Sequence, residues 1–228
     1  MALTLIIGNK NYSSWSLRPW IAMKIAGIAF DEVVIPLYEP GSREAILNYS
    51  PGGKVPVLID GDRHIWESLA ILEYLAEKFP DGCLWPADIG ARAHARAVAS
   101  EMHAGFQALR KACPMNLWLP VKPRPQAEDV MDNVRRIDAL WSDCRARFGQ
   151  GGAFLFGSFG AADAMYAPVV SRLHTYGLAV SAPARAYMDA VMALPAWRAW
   201  HEAALKEPWV MQHNEPDWPL VRGVPISQ

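Results

Sequence analysis

The chain has 228 residues, enough for one large domain or two small ones with a real hydrophobic core. Apolar residues make up 52% of the sequence and charged residues 20%, which excludes an intrinsically disordered chain. With 22 basic and 23 acidic residues, there is no excess of positive charge to favour nucleic acid, so we expect a small ligand or a protein partner.

The three cysteines, Cys83, Cys113 and Cys144, are widely spaced and form no CxxC pair. This spacing indicates neither a disulfide framework nor a zinc site, so we expect no metal and a reducing cytoplasm. The N-terminal residues show no basic segment followed by a long apolar stretch, and no run of about 18 apolar residues occurs elsewhere. We therefore expect neither export nor a membrane partner.

The first eighty residues alternate between strands and helices in the order βαβαββα. Strands are predicted at residues 3–7, 32–36, 55–59 and 63–66, and helices at residues 16–28, 43–48 and 68–79. A β-α-β unit of this size implies a parallel pair of strands with a right-handed crossover. Asp60-Gly61-Asp62 is typical of a hairpin turn. We predict an α/β domain over residues 1–80, with helices packed against a mixed sheet.

Residues 81–90 are rich in Pro, Gly and Asp, which is typical of a linker. Beyond the linker, apolar residues recur at helical spacing, and helices are predicted at residues 91–112, 126–148, 161–177, 184–194 and 197–205. Residues 91–228 are therefore predicted to form an all-helical C-terminal domain. Its last part, residues 206–228, is expected to pack irregularly over the helices.

Two turns place hydroxyl groups at predicted helix starts. The first contains Ser13, Ser14 and Ser16 between a strand and a helix, and the second contains Glu67 and Ser68. A hydroxyl together with the free N–H groups of a helix N-terminus can bind an anion. In the simpler interpretation, which stays open, the serines only cap helices and fill turns.

The order of elements, the two hydroxyl turns and the Val-Pro pair before the third strand resemble a cytosolic glutathione transferase over nearly the whole chain. The resemblance implies a thioredoxin-like N-terminal domain. The run from Ser13 to Arg18, SSWSLR, is similar to the zeta-class pattern Ser-Ser-Cys-Ser-x-Arg, the class that includes maleylacetoacetate isomerases. Trp15 stands in place of the cysteine, and this departure weakens the case for isomerase activity while leaving the glutathione site intact.

The resemblance implies glutathione as co-substrate and a set of residues that bind it. A cis peptide bond before Pro56 would free the Val55 N–H and C=O to pair with the cysteinyl moiety. Glu67 would hold the ammonium group, and Ser68 would donate to a carboxylate. Lys54 would reach the glycyl carboxylate as a point charge, with a solvated surface lysine as an equal alternative.

The implied chemistry is activation of the glutathione thiol. A cysteine-type thiol has a pKa of about 8.5. A hydroxyl that donates to the thiolate contributes about 1.5 to 3 kcal/mol, which lowers the thiol pKa by about one to two units. By position in the motif, Ser13 is the first candidate catalytic residue and Ser14 the second. Ser16 is expected to cap the helix, and Tyr12 is a substitute donor.

The electrophile is expected between the domains, against the first long helix of the second domain. Met102, Phe106 and Arg110 approximate one stripe of that predicted helix, with His103 beside them. Trp15 would add an apolar wall. Core packing explains Met102 and Phe106 at least as well as ligand contact does.

A further motif, residues 156–163, resembles the capping box that begins the core helix of the second domain. Gly160 stands where the family usually has Ser or Thr, and Asp163 is expected to face the helix start. Because glycine is nearly as good as serine at a helix N-cap, replacing Gly160 with Ser is expected to be neutral or slightly stabilising.

The predicted function is a cytoplasmic glutathione transferase that activates glutathione as thiolate for attack on a small hydrophobic electrophile. A homodimer is expected, because the long predicted helices are apolar on more than one side. One alternative is a glutathione-dependent cis-trans isomerase of a maleyl-type diacid, which needs cationic groups such as Arg18 or Arg110 facing the pocket. The other is a non-catalytic, transferase-like binding module.

Overall fold

A computed structural model describes residues 2–118 and 121–215. The strands are β1 (Leu3–Ile7), β2 (Phe30–Val34), β3 (Val57–Asp60) and β4 (Arg63–Trp66). The α-helices are α1 (Ser14–Ile25), α2 (Ser42–Leu47), α3 (Ser68–Lys78), α4 (Ile89–Ala104), α5 (Gln107–Ala112), α6 (Glu128–Phe148), α7 (Ala161–Thr175), α8 (Ala182–Ala193) and α9 (Pro195–Ala204). Short 3₁₀ turns lie at Pro80–Gly82 and Gln212–Asn214. The predicted fold class, an α/β part followed by a helical part, is confirmed.

The four strands form one mixed sheet in the order β2-β1-β3-β4. β1 is parallel to β2 and antiparallel to β3, and β3 and β4 form the predicted hairpin. Four strand bounds, both ends of β2 and both ends of β3, differ from the prediction, and two of them differ because of proline. β2 ends before Pro36 and β3 begins after Pro56, since proline has no N–H to donate to a ladder.

Helix α1 joins the two parts of the molecule. It packs against α3 on the sheet side and against α7 and α9 on the helical side. A single cluster of buried apolar side chains contains Leu5 of β1, Leu17 of α1, Ile71 of α3 and Val169 of α7. Because α1 is buried on nearly all sides, its first turn is held rigidly between the two parts of the molecule.

Residues 91–112 do not form one continuous helix, which corrects the prediction. α4 ends at Ala104, and Phe106 has a left-handed φ of +63° before α5 begins. The Arg110 side chain donates from Nε to the Gly105 carbonyl at 2.9 Å and from Nη2 to the Met102 carbonyl, so it satisfies carbonyls that the end of α4 leaves free. Met102, Phe106 and Arg110 therefore do not form one helical stripe.

Helix α7 begins as predicted, with the Asp163 carboxylate at its N-terminus. The carboxylate accepts the N–H of Gly160 at 2.9 Å and the N–H of Leu155 at 3.0 Å. Burial raises the pKa of Asp163 to about 6. A Cβ on Gly160 would lie only 2.8 Å from the Leu84 carbonyl oxygen, which argues against the expectation that serine fits here without cost.

The start of the expected irregular tail packs against the first turn of the chain. The Glu207 carboxylate accepts the N–H groups of Lys10 at 2.7 Å and Asn11 at 3.0 Å. The rest of the expected tail, residues 216–228, lies outside the described residues. Over the described ranges, no helix has both the length and the apolar character needed to cross a membrane.

Candidate functional site

A cleft of about 890 Å³ opens beside the start of α1. Residues from both parts of the chain line it. Those predicted from the sequence are Ser13, Ser14, Trp15, Lys54, Val55, Pro56, Glu67 and Arg110. Four other predicted site residues, Ser68, Met102, His103 and Phe106, do not belong to the lining.

The serine turn forms a connected pair of hydroxyls. Ser13 is the N-cap of α1, and its Oγ accepts the Ser16 N–H at 3.4 Å. The two hydroxyl oxygens are 2.7 Å apart, and Ser16 Oγ accepts the N–H of Gly8 at 3.1 Å. Ser13 therefore caps the helix, and the expectation that Ser16 does so is wrong. The Ser14 hydroxyl, equally buried, makes no hydrogen bond to residues 2–118 or 121–215.

The Val55–Pro56 peptide bond is cis, as predicted. Val55 precedes β3, and the pairing of β3 with both of its neighbours begins with Val57. The ladder therefore does not use the Val55 N–H and C=O. Val55 lies on the cleft wall, where an extended peptide-like ligand can pair with its backbone.

The start of α3 places Glu67 and Ser68 differently. Glu67 lies at the N-cap with φ +68° and belongs to the cleft lining. Ser68 is fully buried, and its hydroxyl donates to the sulfur of Met165 at 3.9 Å. Ser68 thus turns its side chain away from the cleft, and of these two residues only Glu67 belongs to the lining.

His103 lies behind the cleft wall. Its Nε2 is 3.7 Å from the Glu67 carboxylate, and its ring packs edge-on against Trp15 with centroids 5.2 Å apart. Burial lowers the pKa of His103, and the charge of Arg18 acts in the same direction. Met102 and Phe106 are core residues, 1% and 8% exposed. Of the predicted electrophile pocket, only Trp15 and Arg110 face the cleft.

Arginines collect on the helical side of the cleft. Arg110 and Arg172 line it, and Arg172 also donates to the Cys113 carbonyl at the end of α5. Arg18 is fully buried, and none of its three side-chain nitrogens has a hydrogen-bond partner in the described part of the chain. Burial, and then the charge of Arg110, lowers the pKa of Arg18 and brings that of Arg172 to about 10. This positive region attracts an anionic group.

Sequence reasoning missed two cationic residues of the cleft. Arg172 follows closely after the apolar run 164–170 of α7, and this contrast was the available signal, because an arginine is seldom fully buried without a partner. Arg43 lines the cleft from α2, with its side chain near Gly53. Its position gave no signal, because a short polar helix normally carries solvated charges.

The C-terminal segment closes one side of the cleft. The Tyr12 hydroxyl donates to the Glu215 carboxylate at 2.5 Å, and the His213 ring packs on Tyr38 with centroids 4.4 Å apart. Burial, reinforced by the Glu215 carboxylate, raises the pKa of Tyr12. The Tyr12 hydroxyl is therefore occupied and is a poor substitute donor for a thiolate.

Comparison with known proteins agrees with this architecture. The family model described as glutathione S-transferase, N-terminal domain, matches residues 12–78, and the model described as glutathione S-transferase, C-terminal domain, matches residues 124–203. Solved structures that share the fold include two glutathione transferases. One is a glutathione transferase homolog from Burkholderia with bound glutathione, with TM-score 0.67, 21% identity and coverage of 90% of this chain and 98% of the other. The other is an unclassified glutathione S-transferase from Bombyx mori, with TM-score 0.71, 19% identity and coverage of 90% and 94%.

Curated relatives include proteins named for the zeta class. A probable maleylacetoacetate isomerase of Caenorhabditis elegans is 36% identical over 97 residues, 42% of this chain and 45% of the relative. A zeta-class glutathione S-transferase of Euphorbia esula is 34% identical over 105 residues, 46% and 47% of the two chains. The chain thus spans about half the length of these two relatives. A maleylacetoacetate isomerase of Pseudomonas aeruginosa is 29% identical over 224 residues, 91% and 95%. With both domain models matched in the expected order, the chain belongs to the glutathione S-transferase family.

Proposed function

We propose that this chain binds glutathione in the cleft and activates its thiol as thiolate for conjugation to a small hydrophobic electrophile. One observation carries the proposal. The hydroxyl turn at the N-terminus of α1 and the unpaired backbone of Val55 open into the same cleft. A peptide-like ligand paired with Val55 is thereby brought to the hydroxyls and to the positive end of a helix dipole.

The rest of the cleft suits the charges of glutathione. The Glu67 carboxylate complements the ammonium group of glutathione. The N-terminus of α3 complements the glutathione carboxylate that is next to this ammonium group. Lys54 and Arg43 lie on the cleft wall as cations for the second carboxylate. Neither cation forms an ion pair with an acidic residue of the described ranges, so both are available to a ligand.

We assign activation of the thiol to Ser13 in preference to Ser14. Both serines line the cleft and are 6% exposed, so access does not separate them. The Ser13 oxygen is fixed by two contacts to Ser16, whereas the Ser14 hydroxyl has no anchor within residues 2–118 and 121–215. A preorganised donor stabilises a developing anion better than one that must be oriented at the moment of reaction.

We further propose a homodimer that works in the cytoplasm, with neither nucleic acid nor membrane as partner. The balanced charge of the sequence supports the absence of a nucleic-acid partner. Ile89 at the start of α4 and Trp66 at the end of β4 are large apolar residues that are 75% and 47% exposed, and a second subunit would cover such surface. A monomeric mass in solution at micromolar concentration would contradict the dimer.

A second candidate function is supported by the arginines. Arg110 and Arg172 face the cleft, and Arg18 lies behind Trp15 without a hydrogen-bond partner in the part of the chain described. Glutathione-dependent isomerisation of a maleyl-type diacid needs cationic groups that face the pocket. A carboxylate on the electrophile would supply the missing negative charge. Turnover of matched electrophiles with and without a carboxylate separates this candidate from simple conjugation.

The test of the proposed function is the ultraviolet absorbance of enzyme-bound glutathione thiolate, measured against pH. We expect the wild-type protein to hold the thiol pKa below its free value, and Ser13→Ala to raise that pKa by about one to two units. Ser14→Ala is the matched control, because it removes a neighbouring hydroxyl of equal exposure. If glutathione binds but no thiolate forms near neutral pH, the chain is a binding module instead. If only Ser14→Ala moves the pKa, the assignment to Ser13 is wrong.

A further inference from the structure

Ser16 is a buried hydroxyl that the proposed chemistry leaves without a role. It is fully buried in the first turn of α1, three residues after Ser13. Its oxygen accepts the N–H of Gly8 at the end of β1 and lies 2.7 Å from the oxygen of Ser13. Because Ser13 already provides the helix cap, capping does not explain Ser16.

The hydroxyl protons of this pair can be arranged in two ways, since a hydroxyl hydrogen rotates to suit its partners. If Ser13 donates to Ser16, the Ser16 oxygen accepts two hydrogen bonds, and its own proton is left in a fully buried place without an acceptor in residues 2–118 and 121–215. A buried donor left unpaired is unfavourable. If Ser16 donates to Ser13 instead, the Ser16 proton has its acceptor, and the proton of Ser13 turns to the cleft.

The second arrangement suits a cleft that holds an anion. The Ser13 oxygen then accepts from the Ser16 hydroxyl and from the Ser16 N–H, so its own proton has no competing acceptor within the turn. Donors linked in series polarise one another, and the last donor becomes stronger. The series runs from the Gly8 N–H through the Ser16 hydroxyl to the Ser13 hydroxyl and ends at the bound thiolate.

We infer that Ser16 is a positioning residue that directs the Ser13 hydroxyl toward the glutathione thiolate. The inference rests on the proposed function, because it requires Ser13 to be the activating donor. Ser16 touches neither glutathione nor the electrophile and acts only through Ser13. The buried N–H of Gly8 fixes the Ser16 oxygen, so the end of β1 sets the direction in which the catalytic proton points.

The test is a double-mutant cycle read as the pKa of bound glutathione, with Ser16→Ala, Ser13→Ala and the double variant compared with the wild type. We expect Ser16→Ala to raise the thiol pKa by roughly half to one unit, which lowers the ratio of thiolate to thiol at a given pH about 3- to 10-fold. The Michaelis constant for glutathione should change less than about twofold, because Val55 and Glu67 remain. The double variant should match Ser13→Ala alone, since Ser16 has no route to the thiolate without Ser13.

Removing the hydroxyl also leaves the Gly8 N–H without its acceptor, so Ser16→Ala can fold poorly. Ser16→Cys is the second variant, because it preserves the shape but is a weak donor and acceptor, and it should raise the pKa in the same direction. Ser16→Thr, which keeps the hydroxyl, should restore the wild-type value.

A thiol pKa unchanged by both Ser16→Ala and Ser16→Cys overturns the inference, as does an effect of Ser16→Ala that adds fully to that of Ser13→Ala. If Ser13→Ala itself leaves the pKa unchanged, activation by Ser13 fails, and the inference falls with it. The Ser13→Ala measurement thus distinguishes the two failures.

Discussion

The guanidinium carbon of Arg18 lies 4.0 Å from the centroid of the Trp15 ring. The same ring is 4.9 Å from the guanidinium carbon of Arg110, so Trp15 contacts two cations. A desolvated cation–π contact contributes about 2 kcal/mol. The desolvation of a buried cation costs several kcal/mol, so the ring compensates for only part of the burial of Arg18. Trp15 stands where the zeta-class pattern has cysteine, and it helps to hold the positive charge of the site.

Arg18→Met tests whether the buried charge of Arg18 helps to bind an anionic ligand while lowering the stability of the unliganded protein. Methionine has a similar length and no charge, so the free energy of unfolding of the unliganded protein should rise by about 1 to 4 kcal/mol. The Michaelis constant for a carboxylate-bearing electrophile should rise as well, whereas that for a neutral electrophile should change little. Denaturant unfolding and steady-state kinetics provide the two measurements.

Arg136→Met is the matched control for this change. Arg136 forms a bidentate ion pair with Glu101 at 2.8 and 2.9 Å on the surface of the helical part. Its replacement should leave both Michaelis constants unchanged and slightly lower the stability. If Arg18→Met instead destabilises the protein, Arg18 has a structural partner, and its role in holding an anion would be refuted.

The pKa of Asp163 predicts a specific dependence of stability on pH. The folded carboxyl has a pKa of about 6, above the value of about 3.9 in an unfolded chain, so the folded state binds the proton more tightly. Its contribution to stability is complete below pH 3.9 and is lost as the pH rises through 6. Between about pH 5 and about pH 7 this loss amounts to about 1 kcal/mol.

Asp163→Asn removes this titration. The asparagine oxygen can accept only one of the N–H groups of Leu155 and Gly160 well, so the variant should be less stable at every pH. The difference in unfolding free energy between wild type and variant should shrink by about 1 kcal/mol from pH 5 to pH 7. Two parallel stability curves would show that Asp163 does not titrate in this range.

The bounds of β1 and β4 were predictable, because the apolar run that forms β1 and the Asp60-Gly61-Asp62 turn before β4 are local signals. The break between α4 and α5 was not. The break depends on the hydrogen bonds from the Arg110 side chain to the carbonyls of Met102 and Gly105. Hydrophobic periodicity does not predict such side-chain contacts.

The sequence predicted which turns form the site, but it predicted less well which atoms of those turns do what. The three serines indicated a helix start, yet their spacing does not say which one caps it, since a shift in the helix start changes every role. The burial of Ser68 against Met165 joins two distant segments, so no local pattern reports it. The cis bond at Pro56 was expected only through the family resemblance.

Gly160 provides a direct test of packing at the start of α7. A Cβ at this position would lie 2.8 Å from the Leu84 oxygen, which already accepts the Ala161 N–H at 2.7 Å. Gly160→Ala should therefore lower the unfolding free energy by about 1 to 3 kcal/mol, and Gly160→Ser by a similar amount despite its hydroxyl. Thermal or denaturant unfolding measures the change.

Gly52→Ala is the control for Gly160, because the nearest atom to its added Cβ would be 3.7 Å away. This variant should be as stable as the wild type, or slightly more stable, through a smaller loss of chain entropy. A Gly160→Ser protein as stable as the wild type would show that the Leu84 segment moves aside at little cost. The expectation from the capping preference alone would then hold.

Tyr12→Phe separates the roles of the Tyr12 hydroxyl and the serine hydroxyls. The phenol donates to Glu215 and has a raised pKa, so it stays neutral and is occupied by the C-terminal segment. We expect the pKa of bound glutathione to be unchanged in this variant. Loss of a hydrogen bond to a carboxylate should lower the unfolding free energy by about 1.5 to 3 kcal/mol and speed proteolytic cleavage near residue 215.

Two further variants show whether loss of the Tyr12–Glu215 hydrogen bond is what frees the C-terminal segment. Tyr74→Phe also removes a phenol bonded to a carboxylate, that of Asp60, but it lies away from the C-terminal segment. It should lower stability without speeding cleavage near residue 215. Adding Glu215→Gln to Tyr12→Phe should cost little more, because the shared bond is already absent. A thiol pKa raised by about one unit in Tyr12→Phe would instead show that the phenol leaves Glu215 when glutathione binds, and would make Tyr12 a donor to the thiolate.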